Sequence, residues 1–332
     1  MQFPAQGDCL LDGGMNIRLD GFALALDHGG RENCYISHAH ADHSGAAKMK
    51  NKKLLASEET LALLGKEGRQ KVNYDGISLR FLRAGHVLGS TQLVVEDGAY
   101  GKFVYTGDFK VGDGLTIKGA EAEECDMLLI EGTYGSPSMN FPPREEVREK
   151  IAKWVIKENK LNTVLLGGYS TGKAQELIAL LNQHAIVPLV HPRIEQVCKI
   201  YERFGIHLER IAMDSEEGNE LKKSNFVGVM PFHLVNRELA YEFSRTSGRG
   251  VATALATGWA NTFHYEADEV FPLSDHADFK EIIDYCGRSG AKKIYCCLGD
   301  EEYMAKALRK EGFNAEPCGE VEEGQQKLVE MV

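Results

Sequence analysis

The chain has 332 residues, of which 43% are hydrophobic and 26% charged, with 35 glycines and 9 prolines scattered as punctuation. That length suits about two domains with a sizeable core and excludes a disordered, fibrous or low-complexity chain. With 38 basic and 49 acidic residues, the net charge of −11 excludes bulk electrostatic coating of nucleic acid, so any phosphate binding has to be local.

In chain order, residues 20 to 135 read as short strands of period-two or fully apolar pattern. They are FALALD from 22, NCYIS from 33, ISLRFLR from 77, TQLVVED from 91, KFVYT from 102 and DMLLIE from 126. Turn signals at Asp97-Gly98 and Asp113-Gly114 lie near them. The basic run KMKNKK at 48 to 53 reads as a solvated face. After SPSMNFPP the rhythm changes to helix and strand in alternation, starting with the helical stretch Arg144 to Asn159, so a boundary belongs near 140. Strand TVLLGG, helix KAQELIALLNQH, strand IVPLV, helix RIEQVCKIYERF, strand FVGVMP, helix RELAYEFSR and strand VATALAT follow. Such a βαβ series implies a mostly parallel sheet in a Rossmann-like second domain over 141–258. Strand EVFPL, helix DFKEIIDYCGRSG, strand KKIYCC and helix EEYMAKALRKEG in 259–332 are too few for a core of their own. They are expected to complete the domain begun by 1–140.

No apolar run approaches the roughly 20 residues of a membrane helix. The start MQFPAQGD lacks the basic and apolar regions of a leader, so a cytoplasmic protein without membrane contact is the expectation. Eight cysteines are too sparse for a disulfide framework and form no CxxC, so reduced, mostly buried thiols are expected.

The densest chemical signal is HAHADH at 38 to 43, directly after the strand NCYIS, where three of the chain's 11 histidines fall within six residues. Alternation puts His38 and His40 on one side, while Asp42 and His43 on the following turn can face a second point, so one segment can serve two adjacent metals. Imidazole with carboxylate suits zinc, manganese or iron, and the lack of a thiolate argues against a purely structural zinc site.

HxHxDH after a strand resembles the metallo-β-lactamase superfamily, in which a later His and then an Asp complete the site. The matching positions here are His86 in AGHVLGS and Asp108 in VYTGD. The resemblance implies that His38, His40 and His86 hold one metal, that Asp42 and His43 approach a second, and that Asp108 bridges them. Two divalent ions follow, zinc first and manganese as the alternative. LLIEGTYG with Glu131, YSTGKAQEL at 169 to 177, ATGWA at 256 to 260 and PLSDHADF at 272 to 279 look like the β-CASP group of nucleic-acid hydrolases. Within that group the chain is most similar to ligase-associated DNA exonucleases and RNA-processing exonucleases of bacteria and archaea. The fold implied is α/β, an αββα sandwich with an inserted Rossmann-like cap. The implied chemistry is phosphodiester hydrolysis by water activated at the metals, with Asp42, Asp108, Glu131 and His276 as the catalytic set. His276 would assist the leaving oxygen, oriented by Glu131.

GGYSTGKA has the skeleton of a phosphate-binding loop, but Ala174 stands where a magnesium-binding Ser or Thr is needed, so a nucleotide triphosphatase is rejected. A tight strand-to-helix turn is expected, with Ser170, Lys173 and His276 as candidate contacts to a substrate phosphate. Two positions depart from the resemblance. RNA-processing relatives usually carry a further metal-binding His where CCLGD has Leu298, which leans towards DNA and implies a weaker second metal site; Cys297 would substitute only if the register slipped by one. DNA-type relatives that grip a 5′-phosphate usually carry a serine where this chain has Asp278. The expectation is a DNA exonuclease of repair or processing, favouring single-stranded DNA over RNA and recruited to a repair or processing complex. An RNA-processing nuclease is the alternative. A small-molecule metallohydrolase and an inactive scaffold rank lower.

Overall fold

The computed structural model describes residues 14–19, 22–69, 72–74, 78–98 and 100–319; the start MQFPAQGD, Cys9 and Ile77 lie outside them. The described residues form two compact units, one from residues up to 113 with 118–140 and those from 276 onward, the other from 114–117 and 141–275.

In the first unit, β1 (Asn16–Leu19), β2 (Phe22–Leu26), β3 (Asn33–Tyr35) and β4 (Lys53–Leu55) make a four-stranded sheet in that order. A second sheet runs β16-β15-β8-β7-β6-β5, from β5 (Ser78–Arg83), β6 (Thr91–Asp97), β7 (Gly101–Tyr105), β8 (Met127–Gly132), β15 (Lys293–Gly299) and β16 (Ala315–Pro317). Alternation sorts the side chains into layers. Leu24, Leu26 and Tyr35 of the small sheet meet Leu93, Val95, Phe103, Tyr105 and Leu129 of the large one in a buried cluster between the sheets. The intervening Ala25 and Cys34 face outward, where α1 (Glu58–Leu63) supplies Leu61. Val94, Val104, Leu128 and Ile130 face the other way, against Ile282 and Tyr285 of α7 (Phe279–Ser289) and Met304 and Leu308 of α8 (Glu301–Lys310). The result is an αββα sandwich whose large sheet is completed by strands from the far end of the chain.

The second unit is a six-stranded, wholly parallel sheet ordered β11-β10-β12-β9-β13-β14. Its strands are β9 (Asn162–Gly168), β10 (Leu189–Val190), β11 (Ile211–Ala212), β12 (Val227–Pro231), β13 (Gly250–Ala256) and β14 (Glu269–Phe271). The helices are α2 (Arg144–Glu158), α3 (Lys173–Gln183), α4 (Pro192–Arg203), α5 (Glu216–Leu221) and α6 (Arg237–Ser247). Tyr169–Gly172 is the tight turn between β9 and α3, and the Gly172 N–H donates to the Gln175 side chain at 2.7 Å.

Two readings of the sequence need correction. EVFPL does not belong with the completing part: β14 pairs in parallel with β13, and the second unit runs to Asp275 rather than ending at 258. A strand's apolar pattern marks it for burial but does not name the sheet. IVPLV forms a strand only at Leu189–Val190, because Pro188 has no N–H to donate to a ladder.

Candidate metal centre

The polar residues of the first unit gather where strands end. His38, His40, Asp42 and His43 follow β3, His86 lies in the turn between β5 and β6, Asp108 follows β7, Glu131 is the last residue but one of β8, and His276 precedes α7. Two glycines make the approach possible. Gly85, before His86, has φ +75°, and a Cβ there would lie 2.5 Å from the Lys110 carbonyl; Gly107, before Asp108, has φ +55°, and its Cβ would lie 2.6 Å from Cβ of Ser37. A larger residue at either position would push a loop away from its neighbour.

One atom of each of His38, His40, His86 and Asp108 lies within 4.8 Å of the others. Oδ2 of Asp108 is 3.5 Å from Nε2 of His38 and 3.7 Å from Nε2 of His86, while Nε2 of His86 is 3.0 Å from Nδ1 of His40. Donors bound at about 2.1 Å around a tetrahedral ion stand roughly 3.4 Å apart, so these separations suit one cation of zinc size. Nε2 of His38 and Oδ1 of Asp108 are also buried without a hydrogen-bond partner. Such orphaned atoms are costly unless a cation completes them, and the residues therefore fit a divalent metal. Burial, reinforced by His43, holds the His38 imidazole well below its ordinary range, the neutral form a ligand requires. Burial alone would raise Asp108, but His43, His276 and His38 keep it well below the usual carboxylate range.

Nε2 of His43 lies 3.3 Å from Oδ2 of Asp108 and 3.6 Å from Oδ2 of the more exposed Asp42, so Asp108 faces both the three-histidine group and the Asp42–His43 point. Leu298 sits at a bulge with φ +57° and packs into the cluster between the sheets. Cys297 is fully buried and its Sγ donates to the Ile130 carbonyl at 3.4 Å, and among the described residues no cysteine joins a metal-ligating group.

Beneath the histidines lies a residue that sequence reasoning passed over. Asp27, buried just after β2 with φ +59°, accepts from the Ser37 N–H at 2.6 Å on Oδ1. Its Oδ2 accepts from Ser37 Oγ at 2.6 Å, Tyr105 Oη at 2.7 Å and His43 Nδ1 at 3.0 Å. Ser37 Oγ is also 2.9 Å from Nδ1 of His38. With its proton given to Asp27, the hydroxyl accepts from Nδ1–H of His38. One carboxylate thus engages Nδ1 of both imidazoles, His43 directly and His38 through Ser37, so that Nε2 is the atom that can turn to a metal; against burial, Asp108 and Asp27 hold the His43 imidazole well above its ordinary range, and a metal there would displace its Nε2 proton. The only signal in the sequence was an aspartate ending an apolar strand, which reads equally well as a turn.

Glu131 is fully buried. Its Oε1 accepts from His276 Nδ1 at 2.9 Å and from the Phe109 N–H, and its Oε2 accepts from the Thr133 N–H at 2.8 Å. The ring centroid of His276 is 4.4 Å from that of His86. Asp278 is the N-cap of α7, accepting from Glu281 N–H while the Glu281 side chain returns to the Asp278 N–H. That capping box accounts for the residue by itself. Within the second unit, Lys173 is buried, with Nζ 2.8 Å from Oδ1 of Asp275, so the cation expected to reach a substrate phosphate is already matched by a carboxylate. Ser170 follows β9, its carbonyl accepting from Gln175 Nε2 at 3.0 Å.

No protein-family model matches the chain. A chain named "Probable DNA ligase" from Opitutus terrae is 28% identical over 317 residues, covering 88% of this chain and 29% of its own length. An "RNase J-like protein" from Methanocaldococcus jannaschii is 30% identical over 213 residues, covering 54% and 50%. "5' exonuclease Apollo" from Gallus gallus is 23% identical over 273 residues, covering 77% and 56%. The chain thus spans half or less of the first two relatives. A crystal structure of an Enterococcus faecalis V583 protein of unknown function shares the fold, with a TM-score of 0.54 and 13% identity over 81% of this chain and 77% of that one. Among the described residues no helix is long and apolar enough to cross a membrane. With its layered core, its histidine and aspartate group and these relatives, the chain resembles the β-CASP group of the metallo-β-lactamase superfamily.

Proposed function

We propose that this protein is a metal-dependent phosphodiester hydrolase acting on nucleic acid, and specifically a DNA exonuclease. The observation that carries the proposal is the group of His38, half-buried His40, His86 and Asp108 with two unsatisfied ligand atoms, beside a histidine held by a buried glutamate. His38, His40, His86 and Asp108 would hold one ion and Asp108, Asp42 and His43 a second, with zinc favoured by the imidazole-rich set and manganese as the alternative. When bound, divalent ions supply Lewis-acid activation of water and neutralise charge developing at phosphorus. The chain's own residues do the rest. Asp27 engages Nδ1 of His43 and, through Ser37, of His38, so that Nε2 is the atom left to a metal. Glu131 holds His276 through Nδ1 and would stabilise its imidazolium form, whose Nε2 proton can pass to the leaving oxygen and leave the ring neutral.

Single-stranded DNA is favoured over RNA because the position of an extra ligand is taken by Leu298, which also implies a weaker second ion. Asp278 no longer weighs against DNA, since its carboxylate is engaged as a helix cap. The Apollo relative is named a 5′ exonuclease and another relative a DNA ligase, while the RNase J-like relative keeps RNA as the alternative. Work in the cytoplasm, within a repair or processing complex and away from membranes, belongs to the same proposal.

The test is incubation of the purified protein with matched 5′-labelled single-stranded DNA and RNA and added zinc or manganese, with Asp108→Ala as background. Metal-dependent shortening of the DNA with RNA intact is expected. Cleavage of RNA alone would transfer the assignment to RNA processing, and wild-type turnover in Asp108→Ala would overturn it.

A further inference from the structure

We infer that Tyr169 and Phe232 form a platform on which an unpaired base of a single nucleic-acid strand stacks. The inference rests on the nucleic-acid reading above and gives it a contact in the second unit. All six strands there run parallel, so their carboxyl ends share one edge, the edge at which open α/β sheets bind ligands. Tyr169 leaves the end of β9 and Phe232 the end of β12, adjacent strands in register at Gly168 and Pro231. Their rings lie nearly parallel, 7° apart with centroids at 5.3 Å, a stacked pair.

The pair is built asymmetrically. Phe232 packs into the unit's core and takes the ring of Tyr265 edge-on at 5.6 Å and 88°, and Tyr265 is tied through its hydroxyl to Thr257 at the end of β13. Tyr169 lies over this backing and is 47% exposed. A tyrosine held flat by a buttressed phenylalanine, with half its surface in water, contributes little to a core. It offers a rigid π-face with little rotamer entropy left to lose.

Charge selects the occupant. Next along the same edge His191 follows β10, with Arg193 and His233 exposed beside it. Burial and then Arg193 hold the His191 imidazole below its ordinary range, with Asp214 pulling the other way. In a chain of net charge −11 an exposed arginine, Arg193, along the same edge as an exposed aromatic face matches a polyanion that carries bases. One exposed ring is too small an apolar area for a stable protein interface.

The experiment measures equilibrium binding of fluorescein-labelled oligo-dT and of the same strand with abasic sites, in the Asp108→Ala background, which prevents turnover. Removing a base–aromatic stack typically costs on the order of tenfold or more in affinity. Tyr169→Ala and Phe232→Ala should each weaken binding of the oligo-dT about tenfold and bring its affinity close to that of the abasic strand. Tyr169→Phe should retain the preference for bases, and Tyr241→Ala, which alters a 68% exposed tyrosine on α6, should do so too. An unchanged preference in folded Tyr169→Ala would overturn the platform while leaving the nuclease reading intact. Should the unaltered platform bind no strand at all, platform and nucleic-acid reading fall together. If Phe232→Ala fails to fold, the Tyr169 pair decides.

Discussion

Asp27→Asn is the sharpest probe of the centre, because it changes one atom of a buried carboxylate that receives four hydrogen bonds. The amide offers one oxygen and one NH2. Its oxygen must face the Ser37 N–H, a backbone donor that cannot become an acceptor, so the NH2 falls where Oδ2 was. There it meets Nδ1 of His43, formerly 3.0 Å from the carboxylate, and Ser37 Oγ, formerly at 2.6 Å. His43 relieves the clash by moving its proton to Nε2, which closes that atom to a metal. Ser37, now accepting from the amide, turns its hydroxyl towards Nδ1 of His38 and drives the same switch there. Loss of a charge-assisted hydrogen bond of about 1.5–3 kcal/mol corresponds to roughly 10- to 100-fold weaker metal binding, the range seen when groups supporting a ligand are removed. Competition against a fluorescent chelator at fixed pH measures it directly, with a melting curve to show that the variant folds. Affinity within twofold of wild type for both ions would refute the tautomer argument.

Other outcomes follow from the same geometry. Glu131→Gln removes the charge opposite His276 Nδ1, so single-turnover cleavage should slow by about 10- to 100-fold with strand affinity nearly unchanged; an undiminished rate would exclude His276 from proton transfer. Glu176→Ala removes the buried partner of Arg148, whose Nη2 lies 2.6 Å from Glu176 Oε1, leaving it only the exposed Glu145 at 3.2 Å, and leaves the Leu115 N–H without its acceptor. Urea unfolding should show a loss of about 3–5 kcal/mol in the second unit, and a loss below about 1 kcal/mol would contradict it. Burial pushes the thiols of Cys125 and Cys296 up to about 12 and those of Cys198 and Cys318 up to about 11. Iodoacetamide at pH 8 should therefore label these four only after denaturation, because about one thiol in a thousand or fewer is ionised; rapid labelling of the native protein, mapped by mass spectrometry, would disprove it.

How far the centre could be read from the sequence depends on how local each residue's task is. HAHADH is legible because candidate metal ligands crowd into one short segment. His86 and Asp108 are single polar residues in turns, and only the resemblance put them beside the histidines. Asp27 was illegible for a physical reason: its meaning lies in Ser37, His43 and Tyr105, which are 10, 16 and 78 residues away. The rings of Tyr169 and Phe232 meet only because β9 and β12 pair, an order that no local pattern encodes. Alternation marked the long strands well, whereas β1, β4, β11 and β16, of four residues or fewer, carry too few positions for a period to register. Strand EVF was recognised as a strand and assigned to the wrong unit, since burial on a sheet edge looks the same in either sheet.

The pairing of β8 with β15 has a consequence for the protein's synthesis. Gly132 ends the one strand and Lys293 begins the other, so β8 reaches its neighbour only after a further 161 residues have been made. At ribosomal rates of about 5–20 residues per second the wait is roughly 10 to 30 seconds. Throughout that interval the nascent chain carries an unpaired edge of Met127, Leu128, Leu129 and Ile130, an apolar segment open to pairing with another chain. The parallel sheet of residues 162–271, complete in itself, can form meanwhile. The histidine that faces Glu131 leaves the ribosome only as that interval closes, whereas the candidate metal ligands His38 to Asp108 are all synthesised well before the sandwich that holds them can be completed.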